Sequence, residues 1–412
     1  MAVAKIGIFL LSSKLLDSFL QFFASKTLFP KYFCTFAAKL SIMYDQIRED
    51  TLFIILYTVV TTMDLMASCY LLFRRGNAFA SDITPPVRLR RWTAVFFACM
   101  TLSHLWYMPI FFLTSSEDIM RTDLVGGLLD SMTVFPLAII VMLNMLQDRR
   151  RPLWPIALMI APFVAGGVFS VATLSYALIP MLYAYLLLLS VCIFIYMVRA
   201  TRQYGRWLRD NYADLEHKEV WQSFLVLAFI LLLIVFYAFV GEGPLSQYAM
   251  QMIGILLIGY LLWRVETLNS LTPESEPESE PQPLTPSPKV DGETLSNTGQ
   301  LLQEHCIDTQ LYLRHDLTLL QLTKAIGTNR FYLNQYFSSL GTNYNGFIND
   351  LRINHFMSLY REAVAAHCSS TAQQLALESG YSSYSTFRNA FKRKMGVSVS
   401  AWMANVKDME KP

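Results

Sequence analysis

The side chains with the most specific chemistry in this sequence lie near its carboxyl end. Arg388 and Asn389 are adjacent, and a cationic run of Lys392, Arg393 and Lys394 follows within about one helical turn. Arginine donates two hydrogen bonds to a guanine edge, asparagine pairs with adenine, and lysine and arginine neutralise phosphates. A basic run is often no more than a solvated helix face. Its position here favours binding of double-stranded DNA.

These residues belong to the second of two similar patterns. In each, a short helix is predicted to end at a glycine, and a second helix starts on a polar cap and buries residues four and eight positions later. Capping boxes open both first helices, Thr318 with Gln321 and Thr371 with Gln374. A helical stretch near residues 345–360 is predicted to bridge the two units, which we name the first reader (residues 318–341) and the second reader (residues 371–396). The remaining pattern residues are Leu322, Gly327, Asn329, Leu333 and Phe337, then Leu375, Ala376, Gly380, Ser383, Phe387 and Phe391.

Residues 305–405 resemble the AraC-type family of bacterial transcription regulators, most specifically in the sequence LALESGYSSYSTFRNAFKRKMGVS at residues 375–398. The resemblance implies an all-helical domain whose two recognition helices enter successive major-groove segments on one face of the DNA. It also implies a core made by Leu333, Phe337, Phe387 and Phe391. The predicted DNA-binding residues are Arg330, Phe331, Asn334 and Gln335 in the first reader, and Ser383, Tyr384, Ser385, Arg388, Asn389, Lys392, Arg393 and Lys394 in the second.

The sequence departs from the family pattern at three places. Thr323 stands where alanine is usual, and Val399 replaces a common proline. The first reader ends in the sequence FSSLG, where lysines usually follow the phenylalanine. Because phosphate neutralisation supplies much of the affinity for DNA, the first reader is expected to hold its half-site more weakly than the second.

The first two thirds of the chain have the composition of a membrane protein. Of the 412 residues, 54% are hydrophobic and 16% are charged, against about 25% charged in an ordinary soluble domain. A membrane-crossing helix needs about 20 mainly apolar residues. Seven segments satisfy this requirement, at residues 51–73, 92–113, 124–146, 153–173, 178–198, 221–241 and 247–264.

The cations of the short loops predict the orientation of these spans. The first, third and fifth loops contain five, three and five Lys or Arg residues, whereas the even-numbered loops together contain Arg121 alone. Cytoplasmic loops are enriched in these residues, so the amino end of the first span is predicted to lie outside and the carboxyl end of the seventh in the cytoplasm. DNA binding requires that placement. The cations of the odd loops are Arg74, Arg75, Arg88, Arg90, Arg91, Arg149, Arg150, Arg151, Arg199, Arg202, Arg206, Arg209 and Lys218.

Residues 1–42 fit neither region. Lys14 and Asp17 interrupt their apolar stretch, which disfavours both a span and a signal peptide. An upstream extension, with Met43 as the true start, is the preferred interpretation. The sequence therefore divides into an N-terminal extension of doubtful status (1–42), a seven-helix transmembrane domain (43–268), a flexible Pro/Glu/Ser linker (269–299) and a DNA-binding domain (300–412).

The linker contains the sequence TPESEPESEPQPLTPSP at residues 272–288. Proline at this density favours extended polyproline II, and residues 269–299 then reach up to roughly 90 Å. Such a linker lets the domain dock on DNA without proteolytic release. A passive spacer explains the same composition.

Three ionisable residues lie inside predicted spans: Asp64, His104 and Asp130. Such residues are costly in lipid and mark candidate functional sites. Asp64 and His104 are expected at similar depth, where they can pair. The trio is either a polar clamp between helices or a site for a ligand or a proton.

The fifth loop, residues 202–224, is the longest loop predicted to be cytoplasmic. It can continue the flanking spans as amphipathic helices, with a solvated face or a dimer contact. His217 lies between Glu216 and Lys218, but nothing else there suggests a phosphotransfer histidine.

The expected fold class is all-α, with a polytopic membrane domain, a disordered linker and a double helix-turn-helix domain. The expected function is that of a one-component transcription regulator in the bacterial cytoplasmic membrane. Its expected partners are double-stranded DNA, the lipid bilayer, a small-molecule or protein signal, and a second copy in a homodimer. The alternative is a membrane transporter or enzyme with an autoregulatory DNA-binding tail. The six cysteines form no CxxC or Cys/His cluster, and no catalytic residue, metal site or cofactor is predicted.

Overall fold

The computed structural model describes residues 50–74, 76–79, 83–240, 244–271, 292–368 and 370–409. These residues are helical, with no β-strand among them and one isolated antiparallel bridge between Tyr212 and Thr318. The predicted all-α class is confirmed for this part of the chain. The predicted extension (1–42) and the proline-rich segment (272–288) lie outside the described residues.

The amino-terminal region contains eight described α-helices. They are α1 (Thr51–Phe73), α2 (Val87–Tyr107), α3 (Ser116–Met132), α4 (Val134–Met145), α5 (Trp154–Thr173), α6 (Ile179–Asn211), α7 (Trp221–Val240) and α8 (Pro244–Thr267). Helices α3 and α4 follow each other across a break at Thr133 and together form the predicted third span.

Six segments of the described chain are long and apolar enough to cross a membrane. They are Thr51–Phe73, Val87–Phe111, Ser116–Met145, Trp154–Thr173, Ile179–Asn211 and Leu245–Thr267. The predicted sixth span coincides with α7, whose apolar stretch in the described part is Trp221–Ile230. The count of seven therefore stays a prediction.

The surface of these helices is apolar, as contact with lipid requires. Leu52 is 72% exposed and Leu158 is 65% exposed, whereas Leu89, Phe97 and Met145 on the inner faces are fully buried. A water-soluble domain rarely leaves a large contiguous apolar surface uncovered. The distribution fits helices that pack on one side and face lipid on the other.

Small residues bring some of these helices together. A Cβ added at Gly126 of α3 would lie 2.4 Å from the Tyr107 ring, and one at Gly166 of α5 would lie 2.8 Å from Leu182 of α6. Close approach at small residues is typical of membrane helix packing, since the contact depends on van der Waals complementarity.

A buried carboxylate joins three helices at one end of the bundle. The Oε1 atom of Glu266 in α8 lies 3.2 Å from Nε of Arg90 in α2, and Oε2 accepts a hydrogen bond of 3.2 Å from the Tyr70 hydroxyl of α1. The chain beyond α8 is also fixed, because the Asn269 amide donates to the His217 carbonyl at 2.8 Å and the Leu271 amide donates to Gln147 Oε1 at 2.9 Å. The first residues of the predicted linker are therefore packed on the membrane domain.

The carboxyl-terminal region forms a second all-helical body. Its α-helices are α9 (Gly292–Leu302), α10 (Leu319–Ile326), α11 (Arg330–Ser339), α12 (Tyr344–Ala365), α13 (Ala372–Glu378), α14 (Tyr384–Met395) and α15 (Val399–Met409). Residues 292–299, predicted to be linker, lie in α9. That helix is ordered because Thr298 and Leu302 are buried, Leu302 in the same apolar cluster as Leu322 and Leu333.

Two apolar cores lie on either side of α12, one under each reader. Leu322, Leu333 and Phe337 belong to the first core, and Phe387 and Phe391 to the second. The long helix α12 contributes to both, with Tyr344 and Ile348 in the first and Ile353 and Phe356 in the second. It thereby sets the relative position of the two recognition helices.

Candidate nucleic-acid interface

The first reader has the local geometry expected of a helix-turn-helix unit. Thr318 and Gln321 form a reciprocal capping box at the start of α10, with hydrogen bonds of 3.2 Å and 3.0 Å. Gly327 ends that helix with φ +67°, a left-handed conformation that favours glycine. Asn329 then caps α11, where its Oδ1 accepts from the Tyr332 amide at 3.1 Å.

The second reader repeats this arrangement. Thr371 and Gln374 form the capping box of α13, and Ser383 caps α14 by accepting from the Thr386 amide at 3.3 Å. Gly380 in the turn has φ +87°, and a Cβ there would lie 2.7 Å from the backbone of Leu313. Glycine is therefore required for two reasons, because the backbone φ is positive and because a Cβ would clash with the backbone of Leu313.

Each recognition helix buries one face and exposes the other. Leu333 and Phe337 in α11, and Phe387 and Phe391 in α14, are at most 1% exposed, so the predicted core residues are confirmed. The predicted DNA-binding residues lie on the opposite faces. Phe331, Asn334, Gln335, Ser385, Arg388, Asn389, Lys392, Arg393 and Lys394 are exposed, and Arg330, Ser383 and Tyr384 are half-buried.

The cations at the end of α14 are not equivalent. Lys392 and Arg393 are exposed, whereas Nζ of Lys394 lies 2.7 Å from Oδ1 of Asp350 in α12. Lys394 therefore brings a partly neutralised charge to a phosphate. In α11 the equivalent positions are Ser338 and Ser339, which supply no positive charge.

The structure accommodates both departures from the family pattern within the helices. Thr323 is buried in α10, but its hydroxyl donates to the Leu320 carbonyl at 2.8 Å, so no polar group is left unpaired. Val399 occupies the first position of α15 and is 1% exposed. Its side chain packs in the second core with Phe391 and Trp402.

A buried cation in this domain has a structural role. The Arg352 side chain is 1% exposed, and its guanidinium donates to backbone carbonyls of Tyr312, at 2.8 Å, and of Arg314. It joins α12 to the segment that precedes the first reader. Arg352 is therefore not available to a phosphate.

Sequence reasoning missed one set of contacts at the second reader. In the fifth loop of the membrane domain, Glu216 accepts hydrogen bonds from the hydroxyls of Ser383, Ser385 and Thr386, with distances of 3.3 Å from Ser385 and 2.6 Å from Thr386. Asp214 accepts from the neighbouring Ser382 hydroxyl. The partners are 167 to 170 positions apart in the sequence, too far for local pattern analysis. The one available signal was the pair of carboxylates in a loop predicted to be cytoplasmic.

The environment of Glu216 favours its charged form. Burial raises the pKa of this carboxyl, but the hydrogen bonds from Ser383, Thr386 and Ser385 help to outweigh that effect, so the pKa lies below its ordinary value. The carboxylate is thus a fixed negative charge at the start of α14. Helix N-termini attract such anions because their amide groups and dipole point outward.

The backbone of the same loop is fixed to the DNA-binding domain. Nδ2 of Asn345 in α12 donates to the carbonyls of Tyr212 (3.2 Å) and Ala213 (2.7 Å), and the Ala213 amide donates to the Leu317 carbonyl at 3.3 Å. Ala213 is 2% exposed and belongs to the first apolar core. The loop is therefore packed against the domain, and is not merely a solvated face.

Two members of the predicted polar trio, Asp64 and His104, lie side by side among the amino-terminal helices. Asp64 is fully buried in α1, and its Oδ2 lies 3.8 Å from Nδ1 of His104 in α2. His104 also contacts the Met100 carbonyl, at 2.9 Å, and Gln251 of α8, at 3.3 Å. Asp130 of α3 interacts electrostatically with His104. Among the described residues, neither oxygen of Asp64 has a hydrogen-bond partner. The geometry fits a clamp between helices and equally a polar site.

Comparison with known proteins identifies the carboxyl-terminal region. Residues 322–405 match the family model described as "Helix-turn-helix domain", and this segment is a helix-turn-helix domain of the AraC type. The match begins within α10 and ends within α15, so it includes both recognition helices. No curated protein and no solved structure matches the chain.

Proposed function

From an AraC-type helix-turn-helix domain carried by membrane-capable helices, we propose that the chain is a membrane-embedded one-component transcription regulator. Its carboxyl-terminal domain binds specific sequences of double-stranded DNA through both readers. The observation that carries the proposal is the pair of exposed recognition faces, with Asn334 and Gln335 in the first and Arg388 and Asn389 in the second. Side chains of these types read base edges in the major groove.

We propose that the protein resides in the bacterial cytoplasmic membrane as a multi-pass protein. The asymmetry of Lys and Arg between odd and even loops supports an orientation with the amino end outside and the DNA-binding domain in the cytoplasm. The exposed apolar surface of the long helices supports contact with the lipid bilayer.

The membrane domain either receives a signal or serves as a tether. The cluster of Asp64, His104 and Asp130 supports the first role, because buried ionisable groups in spans mark functional sites by default. The signal on this proposal is a small molecule or a protein that reaches the cluster, and a homodimer would place two domains on adjacent sites. Neither role requires catalysis, and the proposal is that the chain is not an enzyme.

The test is to map the DNA bound by the chain in cells, and then to measure binding of the full-length protein in lipid nanodiscs to the recovered fragments. The double variant Arg388→Ala/Asn389→Ala should lose sequence preference. The control Arg361→Ala removes an exposed cation from α12, away from both readers, and should keep it. Recovery of no enriched sequence would overturn the proposal and favour the transporter or enzyme reading.

Orientation is tested separately with topology reporters. A reporter after Leu271 should be cytoplasmic, and reporters near Glu117 and Gly243 should be external. A cytoplasmic signal at Gly243 would overturn the proposed arrangement of spans.

A further inference from the structure

The start of the second recognition helix can bind either of two anions, a DNA phosphate or the Glu216 carboxylate. DNA-binding proteins hold phosphates with Ser and Thr hydroxyls and with helix N-termini. Ser383, Ser385 and Thr386 provide such hydroxyls at the start of α14, and all three donate to the Glu216 carboxylate. A phosphate at this position would need the same donors and would meet the negative charge of Glu216.

The segment that carries Glu216 is held at both of its sides. Residues 212–220, which we name the docking loop, bind the DNA-binding domain through Ala213, Asp214 and Glu216. They bind the membrane domain through the Lys218 carbonyl, which accepts from the Tyr204 hydroxyl at 3.1 Å, and the Glu219 carbonyl, which accepts from Arg264. The docking loop therefore connects α6 and α8 physically to the second reader.

We propose that the docking loop is an intramolecular latch in which Glu216 occupies the phosphate-binding position of the second reader. In the docked state the start of α14 cannot take up a DNA phosphate, and release of the loop restores that contact. This inference rests on the proposed function and adds its regulation. The docking loop also meets the first reader, where Tyr212 forms a β-bridge with Thr318 at the start of α10, and Phe331, Asn334 and Gln335 on the recognition helix are exposed.

The first test compares two variants that each remove one negative charge. Glu216→Gln should tighten DNA binding by the full-length protein in nanodiscs by about tenfold or more, since hydrogen bonds to a charged group are the stronger kind. Glu378→Gln is the control, because Glu378 is exposed in α13 of the same reader and lies outside the docking loop. Equal tightening in both variants would mean a general charge effect and would overturn the latch.

The second test locks the loop in place. In a background without native cysteines, Asp214→Cys and Ser382→Cys replace two short side chains that are in hydrogen-bond contact. Oxidation should crosslink them and reduce DNA affinity, and a reductant should restore it. Failure to crosslink, or full binding by the crosslinked protein, would overturn the latch while leaving the proposed function standing. Absence of specific binding in every variant would overturn both.

An independent observation concerns a cavity between the membrane helices. It has a volume of about 880 Å³ and is lined mainly by apolar side chains of α2, α4, α6, α7 and α8. Along α6 its lining runs from Ser190 to Arg209, and the stretch from Ser190 to Arg206 rises about 24 Å. That length exceeds half of a hydrocarbon core of about 30 Å, so the cavity accommodates an acyl chain of one leaflet.

One end of the cavity lining along α6 is cationic. Arg202, Arg206 and Arg209 lie there on successive turns of α6, and the single carboxylate of the lining is Glu219. At the same end, the Thr201 hydroxyl is buried and has no hydrogen-bond partner among the described residues. Basic pockets between membrane helices on the cytoplasmic side bind anionic lipid headgroups.

From charge and shape, we infer that this cavity binds an anionic phospholipid of the cytoplasmic leaflet, with its phosphate at the three arginines. The probe is phosphatidylglycerol in nanodiscs, and the readout is the lipid retained by the detergent-extracted protein in native mass spectrometry. The triple variant Arg202→Gln/Arg206→Gln/Arg209→Gln should lose the retained lipid. Its control, Arg88→Gln/Arg91→Gln/Arg150→Gln, removes three exposed arginines outside the cavity and should keep it. Equal loss in both variants, or equal retention of phosphatidylcholine, would overturn the site.

Discussion

The two readers share one local geometry but differ in charge and in accessibility. The first has exposed base-facing side chains and no cation at the end of its recognition helix, where Ser338 and Ser339 stand. The second has Lys392 and Arg393 free for phosphates, but the start of its helix is bonded to Glu216 of the membrane domain. The membrane domain contacts the first reader through the Tyr212–Thr318 bridge, but it bonds the start of the recognition helix in the second, the reader with the stronger electrostatic attraction to DNA. Blocking the second reader should therefore lower the affinity for DNA more than blocking the first, because phosphate neutralisation supplies much of the binding free energy.

Core variants should show the largest difference between the two readers. Phe337→Ala and Phe387→Ala each remove a ring that is at most 1% exposed, at a cost of about 3–5 kcal/mol in the free energy of unfolding. Phe387→Ala should abolish specific DNA binding, whereas Phe337→Ala should leave weakened binding through the second reader. Pulse proteolysis of the full-length protein measures the stability loss, and DNA titration measures the binding. Abolished binding in Phe337→Ala at equal stability loss would contradict the ranking.

Base contacts should show the same ranking with a smaller effect. Arg388→Ala should cost about 1–3 kcal/mol in binding free energy and relax preference at one base pair. Gln335→Ala should cost less, because α11 has little phosphate anchoring to hold its register. Both values come from titrations of the mapped DNA fragment and its single-base variants. A larger cost for Gln335→Ala would reverse the ranking of the two readers.

The three cations of the second reader should contribute unequally to phosphate binding. Lys392→Ala and Arg393→Ala should each weaken binding to all sequences and reduce the slope of log affinity against log salt by about 1. Lys394→Ala should change the slope less, since Lys394 is paired with Asp350 at 2.7 Å. Asp350→Asn is the matched control, because it removes the carboxylate that pairs with Lys394. In that background Lys394 should contribute to the salt slope as much as Lys392 and Arg393 do. Equal slopes for all three alanine variants would show that the Lys394 pair has no effect on DNA binding.

The smallest expected effect is the pH dependence of loop docking. The pKa of Glu216 in the docked state lies below its ordinary value of 4.5, because hydrogen bonds outweigh burial. Its contribution to docking is therefore fully present above about pH 5 and is lost as pH falls through the lowered pKa. Its ionisable neighbours in the docking loop are Asp214, His217 and Lys218.

Hydrogen exchange of residues 212–220 in the full-length protein measures this docking. Protection should be constant between about pH 6 and pH 8 after correction for intrinsic exchange, and should fall only under acidic conditions. The Glu216→Gln variant is the control and should lose the acidic transition. A transition near neutral pH in the native protein would mean that a group other than Glu216 determines the pH dependence of loop docking.

The DNA-binding domain could be predicted from the sequence almost element by element. Capping boxes at Thr318 and Thr371, caps at Asn329 and Ser383, and the buried Leu333 and Phe387 all follow from spacings within ten residues. Interactions at that range are decided by backbone hydrogen bonding and helix periodicity, which a sequence displays directly. The boundary of the domain was less predictable, because α9 starts at Gly292 inside the predicted linker and is stabilised by tertiary burial.

The membrane region was predictable in kind but not in detail. Hydropathy predicted seven spans, and six of the described segments are long and apolar enough for that role. The sequence also predicted that the fifth loop can continue the flanking spans as amphipathic helices, and α6 does run on from the span to Asn211. It did not predict that the arginines of α6 line a cavity. It placed Asp64 and His104 at similar depth, and the structure puts them 3.8 Å apart.

The local elements follow from the sequence alone: which segments are apolar enough for lipid, where helices start and stop, and which side chains of each reader face outward. What those elements contact depends on the tertiary fold. Glu216 reads as a solvated loop carboxylate in the sequence, yet it is bonded to Ser383, which lies 167 positions away. The physical reason is that such a contact depends on how two separately folded bodies meet. Periodicity and capping patterns do not predict such a contact, because the free energy of docking is spread over residues from both bodies.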